Sequence, residues 1–490
     1  MAIQIHEKKL QRQLLGLNRW RRAKDLGISH SNGWGTLWWE TGVGKTYAAC
    51  LLANKMLGVN NSNTFVVLVP GAALEKQWKE EIKNFVSEDY QVNFRVYTAH
   101  RMLELINDGF VLECSLLIVD ELHEFYTEER LKIFNGTSII TKYCLGLTAD
   151  YEDRHGRQKA IETKLPVVDR IDPEEATKEG YTSKFIEYNL AVDFTENERQ
   201  KYDYLTSVIT KNLSKFGRHG LELASKILAG DKKTGKNGAA IAFAYATHNG
   251  WRKDMDLSIE TNAKIHELWS PAKIMGYAKN SMDAIRERKD LVYCAINKIK
   301  VARDLAIKFE DLKTIFFSQS TAFADVLART INNHYAGINQ LTPIPCVVYH
   351  SKIQTIITTD PVTGKQKKKG KTVLKREAIE AIKSGAARRI STASSLDRGF
   401  DVKDIRMGVT TSGTQNPTQH HQRSGRPKRI ESYEEDIVVF VVNLYIQNSI
   451  DESWLKKRQS KNQNVVYWVD KVSDINYSPQ RKEVFNLTEI

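Results

Sequence analysis

The string ETGVGKT, Glu40–Thr46, follows an apolar run and precedes a segment of helix period. Glycines at 42 and 44 let the backbone curl until several N–H groups face one anion, and a helix starting at Lys45 adds the partial positive charge of its N-terminus. That arrangement suits phosphates. Thr41, Gly42, Val43 and Gly44 line the loop, Lys45 supplies a point charge for the β and γ phosphates, and the Thr46 hydroxyl is placed to ligate Mg2+. Trp39 stands where the full G-x-x-x-x-G-K-[ST] pattern has its first glycine. A second apolar run, LLIVDELHEF, ends in Asp120 and Glu121. Two adjacent acids there are costly without a cation and a water: Asp120 would hold Mg2+ through a water, and Glu121 would orient or deprotonate the attacking water. Structural capping is the competing reading of such a strand end. The third string is QHHQRSGRPKR, 419–429, where Arg423, Arg426 and Arg429 at spacings of three share nearly one helical face and could grip a polyphosphate. A basic patch on a nucleic-acid backbone is its alternative. His420 and His421 lack further ligands at metal spacing and read as structural or hydrogen-bonded residues.

These residues need elements to hold them. TLWW 36–39, TFVVLV 64–69, FRVYT, SLLIVD 115–120 and YCLGLTA 143–149 read as strands, with helices over Lys45–Met56, closed by Gly58, and from about Leu74 to Val86. Runs so dense in Val, Ile and Leu predict parallel sheets buried on both faces. A second series follows: TIFFS 314–318, a helix from Phe323 to Asn332, CVVYH 346–350, a helix from Leu374 to Lys383, RRIST 388–392, RMGVTT 406–411 and IVVFVVN 437–443. The expected fold is therefore α/β with two tandem lobes. The first spans 1–184 and the second 185–450, the latter holding a charged helical insertion over about 195–310; a tail covers 451–490. Residues 365–376, KQKKKGKTVLKR, carry seven Lys/Arg and no acid, a solvated loop with nucleic-acid contact as the alternative.

With 490 residues the chain exceeds one ordinary core, and 41% apolar with 27% charged residues excludes collagen-like or disordered classes. Its 72 Lys+Arg against 59 Asp+Glu give a net +13, which favours an anionic partner. Five scattered cysteines, with no C-x-x-C pair, read as buried thiols, not a disulfide or zinc framework. No run of about 18 uncharged apolar residues occurs, so no membrane span is expected and a reducing, cytoplasmic setting is.

In order, TGVGKT, DELH, LTAD at 147–150, STASSLDRGFD at 391–401 and QHHQRSGRPKR resemble motifs I, II, III, V and VI of the superfamily 2 helicases and translocases. VPGAALEKQW at 69–78 and TIFFSQS at 314–320 resemble motifs Ia and IV. The DELH form, LEKQW and EEATKEGY at 174–181 look most like DNA-acting members, including phage recombination-type helicases and repair or restriction translocases. The resemblance implies ATP and Mg2+ held between two RecA-like lobes and a nucleic-acid partner, with DNA the expectation. It carries Lys45, Thr46, Asp120 and Glu121 over as first-lobe ATP and Mg2+ residues, and Gln422, Arg426 and Arg429 as second-lobe residues, the two arginines being the fingers. Gln13, seven residues before Trp20, sits where such enzymes carry an adenine-reading glutamine, a plain helix surface being the alternative. Thr148 would link ATP state to the nucleic-acid track, and Gly399 and Asp401 would lie near the ribose. Asp150 replaces the final threonine of motif III. An RNA helicase, a duplex translocase and an ATP-gated binding protein with little turnover are the other functions this pattern admits.

Overall fold

A computed structural model describes residues 7–134, 137–149, 156, 158–182, 184–231, 234–336, 345–359, 366–393, 402, 404–425, 427, 438–459 and 465–476. Its backbone divides into two compact units: 1–191 with 302–445 and 452–490, and 192–301 with 446–451.

The first unit contains two sheets. One has six strands, β1 (Trp34–Trp39), β2 (Phe65–Val69), β3 (Phe94–Thr98), β4 (Leu112–Asp120), β5 (Ile139–Thr148) and β6 (Val167–Ile171), in the order β3-β2-β4-β5-β1-β6, all parallel. Every residue of β2, FVVLV, is buried, as a strand covered on both faces requires. The strand order decides where chemistry can occur. β4, β5 and β1 are neighbours, and their registers set Asp120 beside Leu147 and Trp38 beside Thr148. The carboxyl ends of these strands thus carry the phosphate-loop candidate, the D-E pair and Thr148 side by side, the usual place for a ligand in an open parallel sheet.

The second sheet has seven strands: β7 (Lys184–Val192), β8 (Thr314–Ser318), β9 (Cys346–His350), β12 (Arg389–Ala393), β13 (Met407–Thr410), β14 (Val438–Ile446) and β15 (Val466–Val469), in the order β15-β7-β14-β13-β8-β12-β9. β15 lies parallel to β7, so a piece of the 451–490 segment is an edge strand of this sheet. A separate antiparallel hairpin pairs β10 (Ile356–Thr359) with β11 (Gln366–Lys369), so the basic run is partly a strand and its remainder opens the helix Lys371–Ser384. The two-sheet α/β architecture with a helical insertion is the one the strand pattern predicts.

The second unit is helical. Thr195 and Glu198 form a reciprocal capping box that starts the helix Glu196–Leu213. The long helix Pro271–Tyr293 packs on it where Ala284 meets Leu205 and Ile209, and buried Ala224, Ala242, Ala246 and Ala278 bring the same long helix together with the helices Gly220–Ala229 and Gly238–His248. A fully buried ion pair, Lys298 Nζ to Asp451 Oδ2 at 2.6 Å, lies within this unit.

Two expectations need correction. The first-lobe helix does not stop at Gly58: it runs Lys45–Val59, because Asn60 turns extended while its N–H and the Asn63 amide both satisfy the Met56 carbonyl. A polar side chain does the work assigned to the glycine. Of the five thiols, four are buried but Cys294 is exposed at the end of its helix. No helix among the described residues is long and apolar enough to cross a membrane.

Candidate ATP site

The loop after β1 takes the conformation its glycines allow. Gly42 and Gly44 both have φ of 93°, and Gly44 caps the helix that Lys45 opens. At this φ any L side chain is strained, and a Cβ on Gly44 would also press on the Gln13 amide at 2.6 Å. That helix, Glu7–Arg21, turns Gln13, Gly16, Leu17 and Trp20 inward. Gln13 is buried; its Nε2 donates to the Val43 carbonyl at 2.7 Å, while its Oε1 is enclosed without a hydrogen-bond partner. One turn earlier, Lys9 donates to the carbonyls of Gly42 at 2.7 Å and Tyr181 at 3.1 Å, and burial lowers its ammonium pKa to about 8. Lys45 Nζ lies 3.0 Å from the Trp39 carbonyl, folded back across the loop. Thr41 and Val43 are buried, and Thr46 follows Lys45 in the first helical turn.

Trp39 explains its own departure from the glycine pattern. Its indole N–H donates to Asp169 Oδ2 at 2.7 Å, and the same carboxylate takes Arg12 at 2.7 Å and Arg19 at 2.6 Å. A Cβ on Gly16 would sit 2.4 Å from the Trp39 ring. The large residue therefore locks β1, β6 and the first helix together behind the candidate phosphate loop.

At the end of β4, Asp120 is buried; Oδ2 accepts from the Trp78 indole at 2.8 Å and Oδ1 from the Glu121 amide at 3.0 Å. Burial and then the neighbouring Glu121 charge raise its carboxyl to about 6, against the pull of Trp78 and Lys45. Glu121 itself is left-handed, φ 50° and ψ 53°, a strained state for a non-glycine residue. His123 Nδ1 lies 2.9 Å from the Thr148 hydroxyl and 3.6 Å from Glu121 Oε2, which joins the D-E pair to β5.

A buried carboxylate that resists ionisation fits a site built for a divalent cation, and an enclosed amide oxygen fits the exocyclic amine of adenine. Asp120 and the Thr46 hydroxyl are the groups that would hold Mg2+. The raised pKa of Asp120 also predicts a stability signature. The folded state keeps the proton between pH 3.8 and about 6 while the unfolded chain has released it, so wild-type stability falls with rising pH in that window. Thermal unfolding of nucleotide-free protein should therefore show the Asp120→Asn variant gaining on wild type from pH 4 to 6 and the gap staying level above. A gap independent of pH would sink the argument.

The second-lobe candidates are placed in part. The helix Pro417–Ser424 follows β13 and carries Gln422 in its backbone; the Gln422 side chain, and Arg426, Arg429, Gly399, Asp401 and Asp150, lie outside the described residues. Arg423 is not a phosphate grip. It is buried, donates to the Ser412 carbonyl at 2.9 Å and lies over the Phe317 ring, so its charge anchors the helix. The three-residue spacing could not separate a buried anchor from an outward cation. Sequence reasoning also missed Lys9, Trp78 and Asp169. Trp78 was visible only as part of LEKQW, and nothing in spacing reveals that it meets a carboxylate 42 residues on.

Residues 5–108 match the family "Type III restriction enzyme, res subunit", and residues 297–431 match "Helicase conserved C-terminal domain". The DNA 3'-5' translocase XPB2 of Sulfurisphaera tokodaii is 24% identical over 427 residues, covering 82% of this chain and 76% of that protein. A putative ATP-dependent RNA helicase, QP509L of African swine fever virus, is 28% identical over 177 residues; the match spans 32% of this chain and 33% of the viral protein. The crystal structure of the Pyrococcus furiosus Hef helicase domain overlaps 89% of this chain and 97% of its own at 14% identity, with a TM-score of 0.47. With segments matching both helicase domain families in order, the chain has the make-up of a superfamily 2 helicase, and these domains imply an NTP-hydrolysing enzyme of the helicase and translocase class.

Proposed function

We propose that the chain is an ATP-dependent DNA helicase or translocase that couples ATP hydrolysis to movement on, or unwinding of, DNA, branched DNA included, in recombination, repair or replication, the role of the phage-type helicases its motifs resemble; the cytoplasm is its setting. The observation that carries the ATP half is the Asp120–Glu121 corner: a buried carboxylate of raised pKa followed by a strained left-handed acid, one strand away from a phosphate loop. In this reading Lys45 and the loop amides bind the phosphates, Asp120 and Thr46 hold the cation, Glu121 aligns and deprotonates the water, and Gln422, Arg426 and Arg429 sense the γ-phosphate from the second lobe, with Gly399 and Asp401 at the ribose. Mg2+ would neutralise charge on the phosphates. The DNA half is supported by the extent of the match to a protein named as a DNA translocase. The shorter matches to proteins named as RNA helicases keep RNA as the second reading. A net charge of +13 suits either backbone.

ATPase rates with single-stranded, duplex, forked and four-way DNA and with RNA test the proposal. DNA should raise turnover, and stimulation should weaken as salt rises. Stimulation by RNA alone promotes the second reading, and none by any nucleic acid defeats both.

Gln13 gives a sharper test of the nucleotide. Its enclosed Oε1 is an acceptor suited to the 6-amino group of adenine, where guanine carries a carbonyl. Leaving such a pair unmade costs about 1–3 kcal/mol. Gln13→Ala should therefore raise the KM for ATP about tenfold and erase the preference for ATP over GTP, with kcat moving less. If the preference survives, Gln13 only braces the loop at Val43.

A further inference from the structure

Behind the helix Pro417–Ser424 lies a buried polar cluster that the site described above does not use. Glu187 on β7 is 1% exposed. Its Oε1 accepts from Gln459 Nε2 at 2.7 Å and Asn443 Nδ2 at 2.9 Å, and lies 3.0 Å from His420 Nε2. Asn189, two residues along β7 and on the same face, closes the cluster: its Oδ1 accepts from Asn443 at 3.1 Å and Gln459 at 3.0 Å, and its Nδ2 donates to Gln459 Oε1 at 2.9 Å. Five side chains from β7, β14 and two helices are thus interlocked, and each amide has its orientation fixed by two partners.

A buried carboxylate is an expensive way to obtain stability, because a well-packed apolar cluster of the same volume does as well or better. Burial alone would push Glu187 up, yet His420, then Gln459 and Asn443, hold it at about 2, so it stays ionised. What an ionised, hydrogen-bonded group contributes is a defined position for what it touches. What it touches is His420, at mid-length of a helix of eight residues that begins the motif VI string. That helix has three further ties. Gln419 Oε1 accepts from Gln319 at 2.9 Å and from Thr414 at 3.0 Å, and Arg423 holds the Ser412 carbonyl. Gln319 follows β8, the motif IV strand. Glu187 is the tie that reaches furthest, 233 residues along the chain, and the one that brings in the helix Ile450–Gln459 through Gln459.

We propose that Glu187 is a positioning residue for ATP hydrolysis: through His420 it sets the seat of the Pro417–Ser424 helix, the described part of the motif VI segment and the one that carries Gln422, with Gln459 making the helix Ile450–Gln459 a support of the same machinery. The proposal rests on the reading of Arg426 and Arg429 as γ-phosphate residues. Small misplacement of a catalytic group costs up to about a hundredfold, and a partial loosening of one tie should cost less.

The test uses the full chain, saturating single-stranded DNA and a temperature well below unfolding. Glu187→Gln should lower kcat about tenfold, leave the KM for ATP within about twofold, and leave DNA affinity unchanged, since ground-state binding does not need the fingers. His420→Gln, which keeps a donor able to reach Glu187, should retain several-fold more turnover than His420→Leu, which keeps none. Wild-type kcat for Glu187→Gln, a loss confined to KM, or a loss that disappears on cooling would overturn the proposal. Should Glu187→Gln fail to fold, the His420 pair decides, and equal turnover of the two variants overturns it. Arg426→Ala and Arg429→Ala separate the underlying reading. If both keep full turnover, the motif VI assignment fails whatever Glu187 does; if both lose it while Glu187→Gln does not, only the positioning role falls.

Discussion

Lys45→Ala should lower DNA-stimulated ATP turnover by two to three orders of magnitude. The residue opens the helix Lys45–Val59 and curls its ammonium back over the loop onto the Trp39 carbonyl at 3.0 Å, the space that outer phosphates would take. Charge-assisted contacts on a transferring phosphoryl group are worth about 3–4 kcal/mol, and the loop's backbone N–H groups cannot replace a full charge. A second consequence follows from the neighbouring carboxyl. Lys45 is one of the groups that pull the Asp120 pKa down, so its loss pushes that acid further up and weakens the cation site as well. Both effects act in the same direction, so KM for ATP should rise while kcat falls. The fold should persist, because the loop is also held by Lys9 and Gln13 on the Gly42 and Val43 carbonyls. Steady-state ATPase with a melting curve checks this. A melting point near wild type with turnover within fivefold of it would remove Lys45 from the phosphate site.

How much of this was legible in the sequence depends on the range of the interaction. The strands were readable because parallel sheets bury both faces, and CVVYH at 346–350 is reproduced residue for residue as β9. The turn of the candidate phosphate loop was readable because its glycines and the helix start at Lys45 lie next to each other in sequence. Helix ends were less so: the expected cap lay at Gly58, but the helix runs on to Val59, where the Asn60 N–H and the Asn63 amide both satisfy the Met56 carbonyl. The supports of the site were not legible at all. Asp169 meets Trp39 across 130 residues, and Glu187 meets His420 across a larger gap; their side chains look like any surface acid until the sheet order is known. Arg423 shows the reverse error, since a cation in a basic string reads as exposed when it is buried against Phe317 and Ser412. Local chemistry writes itself into spacing, whereas the shell that orients it depends on topology.

Glu121→Gln should produce a protein that binds ATP and DNA but stalls before hydrolysis, with turnover down by about a thousandfold. General-base assistance contributes about 10²–10⁴, and the amide keeps the size of the side chain while removing its basicity. The backbone state matters to this prediction. Glu121 holds φ 50°, which β4 and the short turn after it impose, so a glutamine inherits the same aim and the variant isolates the charge. Electrostatics next door change in the opposite sense from Lys45→Ala. Glu121 is, after burial, the main group that raises Asp120, so its neutralisation lets Asp120 ionise more easily and leaves the cation site no weaker. ATP affinity should therefore hold within about threefold of wild type or tighten, and His123, 3.6 Å from Glu121 Oε2, loses a carboxylate neighbour without losing Thr148. Nucleotide binding by fluorescence and single-turnover hydrolysis separate the two steps. Hydrolysis within tenfold of wild type would take the base role from Glu121, whereas a loss of ATP binding equal to the loss of turnover would make it a ligand-holding residue. Only retained binding with arrested chemistry matches a carboxylate set beside, and not on, the cation site.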